Sequence, residues 1–406
     1  MQKKLDKFSQ KLENRDMKIG FDFRMGGSMN AGIGRYSFEL LSAMLEESKI
    51  NNLGDTFVVF YHEKNNNPED LNKLKELGAE LVPVNIRHYS FKEQWTFPKL
   101  LNTYNFDLVH FPNFNVPIFY KRPYVVTIHD MVHHKISGHK KSRIWKFYAY
   151  QYIIQKAAER ARTIFTVTES AKDEIVKYLD NINPEKIVVT YEAPTPYEFN
   201  SEELAVSAIA KVKKKFLLQK PYFIFVGTLE RKKNIPMLTK AFDLFLQKYK
   251  YDMDLVLVGK TDEHYPEVRT QALDIANRNH LVLTGFVSDK DQSALYQGAY
   301  AFITASLHEG FGLPGLEAMC YGLPVLASNT SVFNEVYDNG AIYFDPLNLE
   351  DIALHMDLVV KDQQFHGQMQ EKSLARAMQF NWKLTARETL KAYHSNTNNF
   401  LPEDEN

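Results

Sequence analysis

The sequence predicts an α/β protein made of two doubly wound, Rossmann-like parallel-sheet domains in series, facing each other across a cleft. Three observations predict it. Short runs of β-branched and aromatic residues recur without polar alternation, the pattern of strands covered on both faces. Stretches with helical spacing separate them, as at Leu40, Leu41, Met44 and Leu45. The series lapses once near the middle of the chain and then restarts.

The first series comprises "KIGFDF" from Lys18, "TFVVFY" from Thr56, "AELVPV" from Ala79, "LVHF" from Leu108, "YVVTIHD" from Tyr124, "TIFTVT" from Thr163 and "KIVVTY" from Lys186, all read as strands. From Ala193 the pattern lapses into "APTPYEFNSEELAV" and a lysine-rich stretch, with prolines at 194, 196 and 221, so the interdomain connection is expected over 196–220. A second series follows: "YFIFVG" from Tyr222, "DLVLVG" from Asp254, "LVLTGF" from Leu281, "AFITAS" from Ala301, "PVLASN" from Pro324 and "AIYFDP" from Ala341. The expected layout is a polar leader 1–16, a first domain 17–195 joined by a C-terminal helix 381–396, the connection 196–220, a second domain 221–380 and a polar tail 397–406. Ligands of such sheets bind at the carboxyl ends of the strands.

A chain of 406 residues exceeds one comfortable core and suits two domains. Its 44% hydrophobic and 24% charged content is that of a soluble globular protein. Lys plus Arg number 49 against 50 for Asp plus Glu, so no global positive field exists for nucleic acid. The single cysteine, Cys320, excludes an internal disulfide and a cysteine–zinc cluster, and suits a reducing compartment. "MQKKLDKFSQKLENRD" lacks the apolar stretch of a secretory signal, and no window approaches the roughly 18 apolar residues of a spanning helix. A cytoplasmic location is expected, with any membrane contact peripheral.

The stretch "SLHEGFGLPGLEAM", Ser306 to Met319, carries the sharpest chemical signal. "LHEGFG" leaves the carboxyl end of the strand "AFITAS", and "LPGLEAMCYG" reads as a short helix with Pro314 in its first turn and Gly322 past its end. A glycine turn opening a helix presents backbone N–H groups and the positive end of the helix dipole to phosphate oxygens. Leu313 and Gly315 are the expected donors, since Pro314 has no N–H. Glu309 before this seat and Glu317 about one turn inside the helix address opposite ends of an elongated ligand. With a diphosphate between them, that ligand is a nucleotide sugar: Glu309 accepts from sugar hydroxyls and Glu317 from ribose hydroxyls.

The run "TGFVSDKDQSALYQGAYAFITASLHEGFGLPGLEAMCYGLPVLAS", Thr284 to Ser328, closely resembles the nucleotide-binding half of the retaining GT-B glycosyltransferases of family four. "AGIGRYSFELL" from Ala31, "VVTIHD" from Val125, "VGTLERKKNIPMLTKAF" from Val226 and "FNWKLTARETL" from Phe380 are similar to other landmarks of that family, in the same order. The resemblance implies the GT-B fold, with a donor held mainly by the C-terminal domain, an acceptor held mainly by the N-terminal one, no cofactor and no required metal.

Carried over by position, Glu309 and Glu317 match the paired glutamates, and Gly310, Phe311, Gly312 and Leu313 the phosphate-binding turn. Phe286 and Val287 match the segment along the nucleotide base, or else form an apolar strand end. In much of the family an arginine directly follows the glycine of the basic loop. Here Thr228 follows Gly227, Arg231 stands for the proline of a Gly-Thr-Leu-Glu-Pro-Arg-Lys-Asn subgroup, and Lys232 for its arginine. Lys232 and Lys233 are therefore the expected anion clamp, since Arg231, Lys232 and Lys233 cannot all face one ligand. A lysine supplies charge without the bidentate pairing of a guanidinium.

The same resemblance implies that His129 contacts the transferred sugar and that Asp130 orients its surroundings, the alternative being a structural histidine at a strand end. Gly32 and Gly34 form a second glycine turn on the acceptor side, or a tight strand-to-helix connection. Asp252 to Asp254, "DMD", imitates a metal motif of another transferase fold but stands at the wrong end of its strand, and "HHKISGHKK" from His133 has no zinc spacing, so no metal is expected. Residues 133–162 carry Lys135, Lys140, Lys141, Arg143, Lys146, Lys156, Arg160 and Arg162 against Glu159, interleaved with Trp145, Phe147, Tyr148, Tyr150 and Tyr152. This stretch is either an anionic-membrane surface or a solvated helix with an aromatic core face.

The expected activity is retaining transfer of a hexose from a nucleoside diphosphate sugar to a hydroxyl of a glycan or lipid-linked glycan. GDP-mannose is the first choice of donor, from the resemblance to mannosyl and rhamnosyl transferases of bacterial surface polysaccharides. The alternatives are a non-catalytic nucleotide-sugar-binding subunit and a GT-B phosphorylase or epimerase. Glu309 as a covalent nucleophile is a further alternative.

Overall fold

The computed structural model describes residues 16–27, 32–131 and 141–395, with the side chains of 141–146 outside the description. The chain divides into two compact units: residues up to Glu192 together with those from Asn381 onward, and Ala193–Phe380.

In the first unit β1 (Lys18–Asp22), β2 (Thr56–Tyr61), β3 (Glu80–Pro83), β4 (Leu108–Phe111), β5 (Tyr124–Thr127), β6 (Ile164–Thr166) and β7 (Ile187–Val189) form a seven-stranded sheet of order β3-β2-β1-β4-β5-β6-β7. All its ladders are parallel, with Phe21 opposite Val59 on one side and His110 on the other. In the second unit β8 (Tyr222–Val226), β9 (Asp254–Val258), β10 (Leu281–Gly285), β11 (Ala301–Thr304), β12 (Val325–Ser328) and β13 (Ala341–Phe344) form a six-stranded parallel sheet of order β10-β9-β8-β11-β12-β13. Every run read as a strand from the sequence lies in one of these sheets.

The absence of polar alternation has a direct cause. All residues of β8 and β9 are buried. Phe223, Phe225, Leu255 and Leu257 pack with Ile235, Leu238, Phe242 and Phe245 of the helix Ile235–Tyr249 and with Ile352 and Met356 of the helix Leu349–Lys361. Each such side chain contributes about 1.5–3 kcal/mol by leaving water.

The strand order reverses between β1 and β4 in one sheet and between β8 and β11 in the other. At such a switch point the connections leave to opposite faces and open a crevice at the carboxyl ends. In the second unit the two loops bordering that crevice follow β8 and β11.

The connection expected over 196–220 is instead part of the second unit. It contains the helix Glu202–Lys215, capped by Ser201 and buried at Ala208 and Val212. Lys215 pairs with Asp291 at 2.6 Å on the neighbouring helix Asp289–Gln297. The lysines that blur the apolar pattern are concentrated at the carboxyl end of a helix, where the dipole favours cations. The helix Trp382–Ser395 lies with the first unit: Arg387 Nε meets Glu47 at 2.5 Å, and His394 Nε2 lies 3.0 Å from Asp55.

Candidate functional site

Three neighbouring strands of the second sheet run out into glycine: Gly227 after β8, Gly259 after β9 and Gly285 at the end of β10. The Gly259 N–H donates to Gly285 O at 3.0 Å, and a Cβ on Gly259 would lie 2.0 Å from the Gly227 carbonyl oxygen. No side chain fits there, so the loop leaving β8 rests directly on its neighbour's backbone.

That loop passes the exposed Thr228 and closes a single 3-10 turn, Arg231–Lys233. Asn234 then takes a left-handed φ of 54°, tolerated by asparagine, and its Nδ2 donates to Pro346 O at 2.9 Å. The turn sorts the three basic residues. Lys233 reaches inward, with Nζ 2.5 Å from Glu309 Oε1 and both side chains largely buried. Lys232 Nζ stands 3.6 Å from Glu230. Arg231 is directed to Glu267 and the ring of Tyr265. Of the expected clamp, Lys233 is thus the member joined to Glu309, while the Lys232 backbone carbonyl accepts from Leu307 N–H at 2.8 Å and ties this loop to the exit of β11.

Beyond Glu309 the chain turns at Gly312, φ 95°, into the helix Leu313–Cys320. The Tyr337 hydroxyl donates to Gly312 O at 2.5 Å and fills the space beside the turn: a Cβ would lie 2.6 Å from that hydroxyl at Gly312 and 2.3 Å from it at Gly315. Burial, reinforced by the Glu309 charge, holds the Tyr337 phenol well above its ordinary pKa, so it is neutral and a donor. Gly315, expected to offer its N–H to a ligand, directs it instead to Gly312 O at 3.2 Å, and Leu316 N–H reaches the same oxygen at 3.5 Å. Leu313 is the helical residue of this turn whose N–H is not drawn into it. Phe311 is buried edge-on against Phe380, at 5.8 Å between ring centres, so Gly310, Phe311 and Gly312 can serve a ligand only through backbone.

Glu317 is almost fully buried, and its Oε2 accepts from Gln292 Nε2 at 3.2 Å, with the Tyr296 hydroxyl at 3.5 Å. Both partners come from the helix Asp289–Gln297. At the end of β10 Phe286 is 75% exposed and carries Lys260 Nζ 5.0 Å from its ring centre, whereas the side chain of Val287 is buried. Gln292, Tyr296, Tyr337, Gly259 and Lys260 were not marked by the sequence. Of these only Gly259, a glycine closing an apolar strand run, carried a local signal.

In the first unit Gly32, φ 51°, precedes the helix Ile33–Ile50, and Gly34 lies buried inside its first turn; residues 28–31 are outside the described residues. His129 follows β5. Its Nε2 donates to Pro112 O at 3.1 Å, its Nδ1 lies 3.3 Å from Glu192, and the Tyr36 ring packs edge-on at 4.5 Å. Burial alone would lower its pKa, but Glu192, the Pro112 carbonyl and Asp130 together outweigh it and raise the value. The ring nitrogens expected to face a sugar are thus engaged within this unit, because two acceptors flank the ring. At the end of β1, Arg24 is fully buried, with Nη2 2.7 Å from both Asp22 and Glu93, and Asn115 Nδ2 donates to Glu93 at 3.1 Å.

Among the described residues no group of three His, Cys, Asp or Glu side chains is arranged to hold a metal ion. Asp252 pairs with Lys220 at the amino end of β9, the end away from Gly259. Residues 133–140 of the basic aromatic stretch lie outside the described residues. In the remainder Tyr148 and Tyr152 are exposed, Ile154, Ala157 and Ala158 are core, and Lys156 pairs with Glu159. Among the described residues no helix is long and apolar enough to cross a membrane.

Comparison with known proteins matches both units. The family description "Glycosyltransferase Family 4" matches residues 31–193, and "Glycosyl transferases group 1" matches 207–376. The chain is 28% identical over 374 residues to O-antigen chain mannosyltransferase B of Escherichia coli, covering 89% of this chain and 95% of that one. It is 30% identical over 250 residues to the serotype-specific mannosyltransferase WbdA of Escherichia coli, of whose length it spans 30%, with 60% of this chain aligned. Among solved structures, HepE of Anabaena in complex with UDP and glucose superposes with a TM-score of 0.67 at 16% identity, covering 92% of this chain and 98% of that one.

Proposed function

Because this chain belongs to the group 1, family 4 glycosyltransferases, two-domain GT-B enzymes, we propose that it transfers a hexose with retention from a nucleoside diphosphate sugar, GDP-mannose first, to a glycan or lipid-linked glycan in surface polysaccharide synthesis. The observation that carries this reading is the Lys233–Glu309 pair at the switch point of the second sheet, beside the amino end of the helix Leu313–Cys320. The mannosyltransferase names of its relatives support the choice of sugar.

Breaking the sugar–phosphate bond loads negative charge onto the departing diphosphate. Lys233 and the Leu313 N–H supply a fixed positive environment for that charge, where preorganised electrostatics lowers the barrier most. Glu309 holds Lys233 in place and accepts from sugar hydroxyls, and Glu317, held by Gln292, accepts from the ribose. In the front-face mechanism proposed for this family the leaving phosphate takes the acceptor's proton, so neither a protein base nor a metal is required. The enzyme works in the cytoplasm, peripheral to the membrane that carries its acceptor.

A thermal-shift panel of nucleoside diphosphate sugars tests the donor: a ligand at a hundred times its Kd stabilises by about 2.7 kcal/mol, and GDP-mannose is expected to shift the midpoint most. Failure of every member of the panel would overturn the reading. The anomeric configuration of the product, read by NMR, and turnover in the presence of a chelator test retention and metal independence.

A further inference from the structure

We propose that Arg231 is a positioning residue of the reaction: clasped by Glu267 and laid on the ring of Tyr265, it fixes the turn that carries Lys233 to Glu309. This role presupposes the catalytic reading above, since it acts only through Lys233.

A single 3-10 turn has poor hydrogen-bond geometry and holds its own shape weakly. Its closing bonds, Lys233 N–H to Glu230 O and Asn234 N–H to Arg231 O, are both 3.1 Å long. The turn therefore depends on anchors outside itself. On the β11 side Lys232 O accepts from Leu307 N–H at 2.8 Å, and at the end of the turn Asn234 Nδ2 donates to Pro346 O at 2.9 Å. On the β9 side the loops after β8 and β9 are zipped together: Leu229 N–H donates to Lys260 O at 2.8 Å, and Asp262 N–H to Leu229 O at 3.2 Å. That zipper stops at Leu229, two residues before the turn. Arg231 continues it with its side chain, whose Nε and Nη2 donate to Glu267 Oε1 at 2.8 and 2.5 Å, while the guanidinium carbon lies 4.9 Å from the centre of the Tyr265 ring. Tyr265 and Glu267 stand at the start of the helix Pro266–Ala272, which is rooted in the core through Val268 and Ala272. The clasp thus ties the lysine-bearing turn to a fixed element.

Geometry separates the parts of the two cations. Successive side chains of a 3-10 turn project about 120° apart, so with Lys233 aimed at Glu309, Arg231 must leave on another side. The seat it finds there suits a guanidinium, whose plane can stack on a ring while its edge pairs with a carboxylate, as an ammonium cannot. Exposure sets the size of the effect. The Arg231 side chain is 64% exposed and that of Glu267 37%, against 11% for Lys233. An exposed pair with a ring contact is worth about fivefold in an equilibrium, well short of the roughly hundredfold expected of a group that meets the transition-state charge directly.

Amide hydrogen exchange of the full chain without ligand, together with steady-state kinetics, tests this. R231A and E267A are each expected to speed exchange of the Lys233 and Asn234 amides and to lower kcat about fivefold at little-changed donor KM, and the double variant should lose no more than either alone. In a K233M chain R231A should cost nothing further. R231P, unlike R231A, should keep slow exchange and turnover: residue 231 is the first of its turn, where the fixed φ of proline fits and an N–H has no partner within the turn, and Glu230 before it is already extended, with ψ 165°. Unchanged exchange or unchanged kcat in R231A and E267A would overturn the proposal. So would a loss of about a hundredfold in R231A that R231P does not recover and E267A does not share, which would place Arg231 on the donor itself. Absence of turnover in the unaltered chain would instead count against the catalytic reading, and exchange would still decide whether the clasp holds the turn.

Discussion

Lys233 and Glu309, 76 positions apart, meet at 2.5 Å where β8 and β11 diverge. Neither side chain has much contact with solvent, so each depends on the other for its orientation and its charge balance. Replacing Lys233 with Met is expected to lower kcat by about a hundredfold or more, the scale for removing one preorganised donor to transition-state charge. Glu309→Gln should cost a similar factor, and the double variant should lose far less than the product of the two. Steady-state kinetics of the four proteins checks this; additive losses would show that the two residues act separately.

Substitution at Gly315 strikes a different target. A Cβ there would sit 2.3 Å from the Tyr337 hydroxyl, so Gly315→Ala should destabilise the second unit by about 1–3 kcal/mol. Tyr337→Phe removes the clashing oxygen and is expected to recover part of that loss in the combined variant. Chemical denaturation of the single and double variants measures the recovery.

Two buried histidines contribute to a loss of stability in acid. Burial pushes His110 down to about 3, helped by the charge of His129, and burial pushes His88 down to about 4, from an ordinary value of 6.5. The unfolded chain then binds protons more readily than the folded one, so stability falls as pH drops from about 6.5 toward those values, by about 2 kcal/mol per histidine at pH 5. Denaturation midpoints at pH 7 and 5 should differ accordingly, and His88→Gln should remove its share of the difference.

His129 acts with the opposite sign. Its raised value means that the stabilisation by Glu192 is fully present below 6.5 and is lost as pH rises through the folded value. Glu192→Gln should therefore reduce stability at pH 6 and leave it nearly unchanged at pH 9, which melting curves at the two pH values resolve.

The exposed ring of Phe286, with Lys260 Nζ 5.0 Å from its centre, is proposed to stack on the nucleotide base. Phe286→Ala is expected to raise the donor KM by about tenfold or more, on the scale of base–aromatic stacking, with kcat little changed. A fall in kcat at constant KM would assign the ring another part.

The strands were legible because both faces of each sheet are covered: a run such as "DLVLV" is apolar throughout and cannot be mistaken for a half-exposed strand. The sequence singles out the glutamates and Lys233 because their neighbours along the chain repeat a known pattern, and the structure pairs Lys233 with Glu309. The other partners at the site were not legible. Gln292 and Tyr296 reach Glu317 from another helix, and Tyr337 reaches Gly312 from 25 positions away, so no local spacing announces them. The helix Glu202–Lys215 reads as a connection in the sequence because its inward face is small, Ala208 and Val212, while lysines crowd its end. For His129 the position in the chain is plain, but Pro112 and Glu192, which engage its ring, come from elsewhere and no local spacing announces them.

The bare contact between Gly259 and the Gly227 carbonyl has a mechanical consequence. With no methyl group as a spacer, the height of the lysine-bearing loop after β8 above the sheet is set by the thickness of two peptide planes, and a wedge of one carbon at Gly259 would lift it. Activity could then disappear from a protein whose every charged and hydroxyl-bearing side chain is still present.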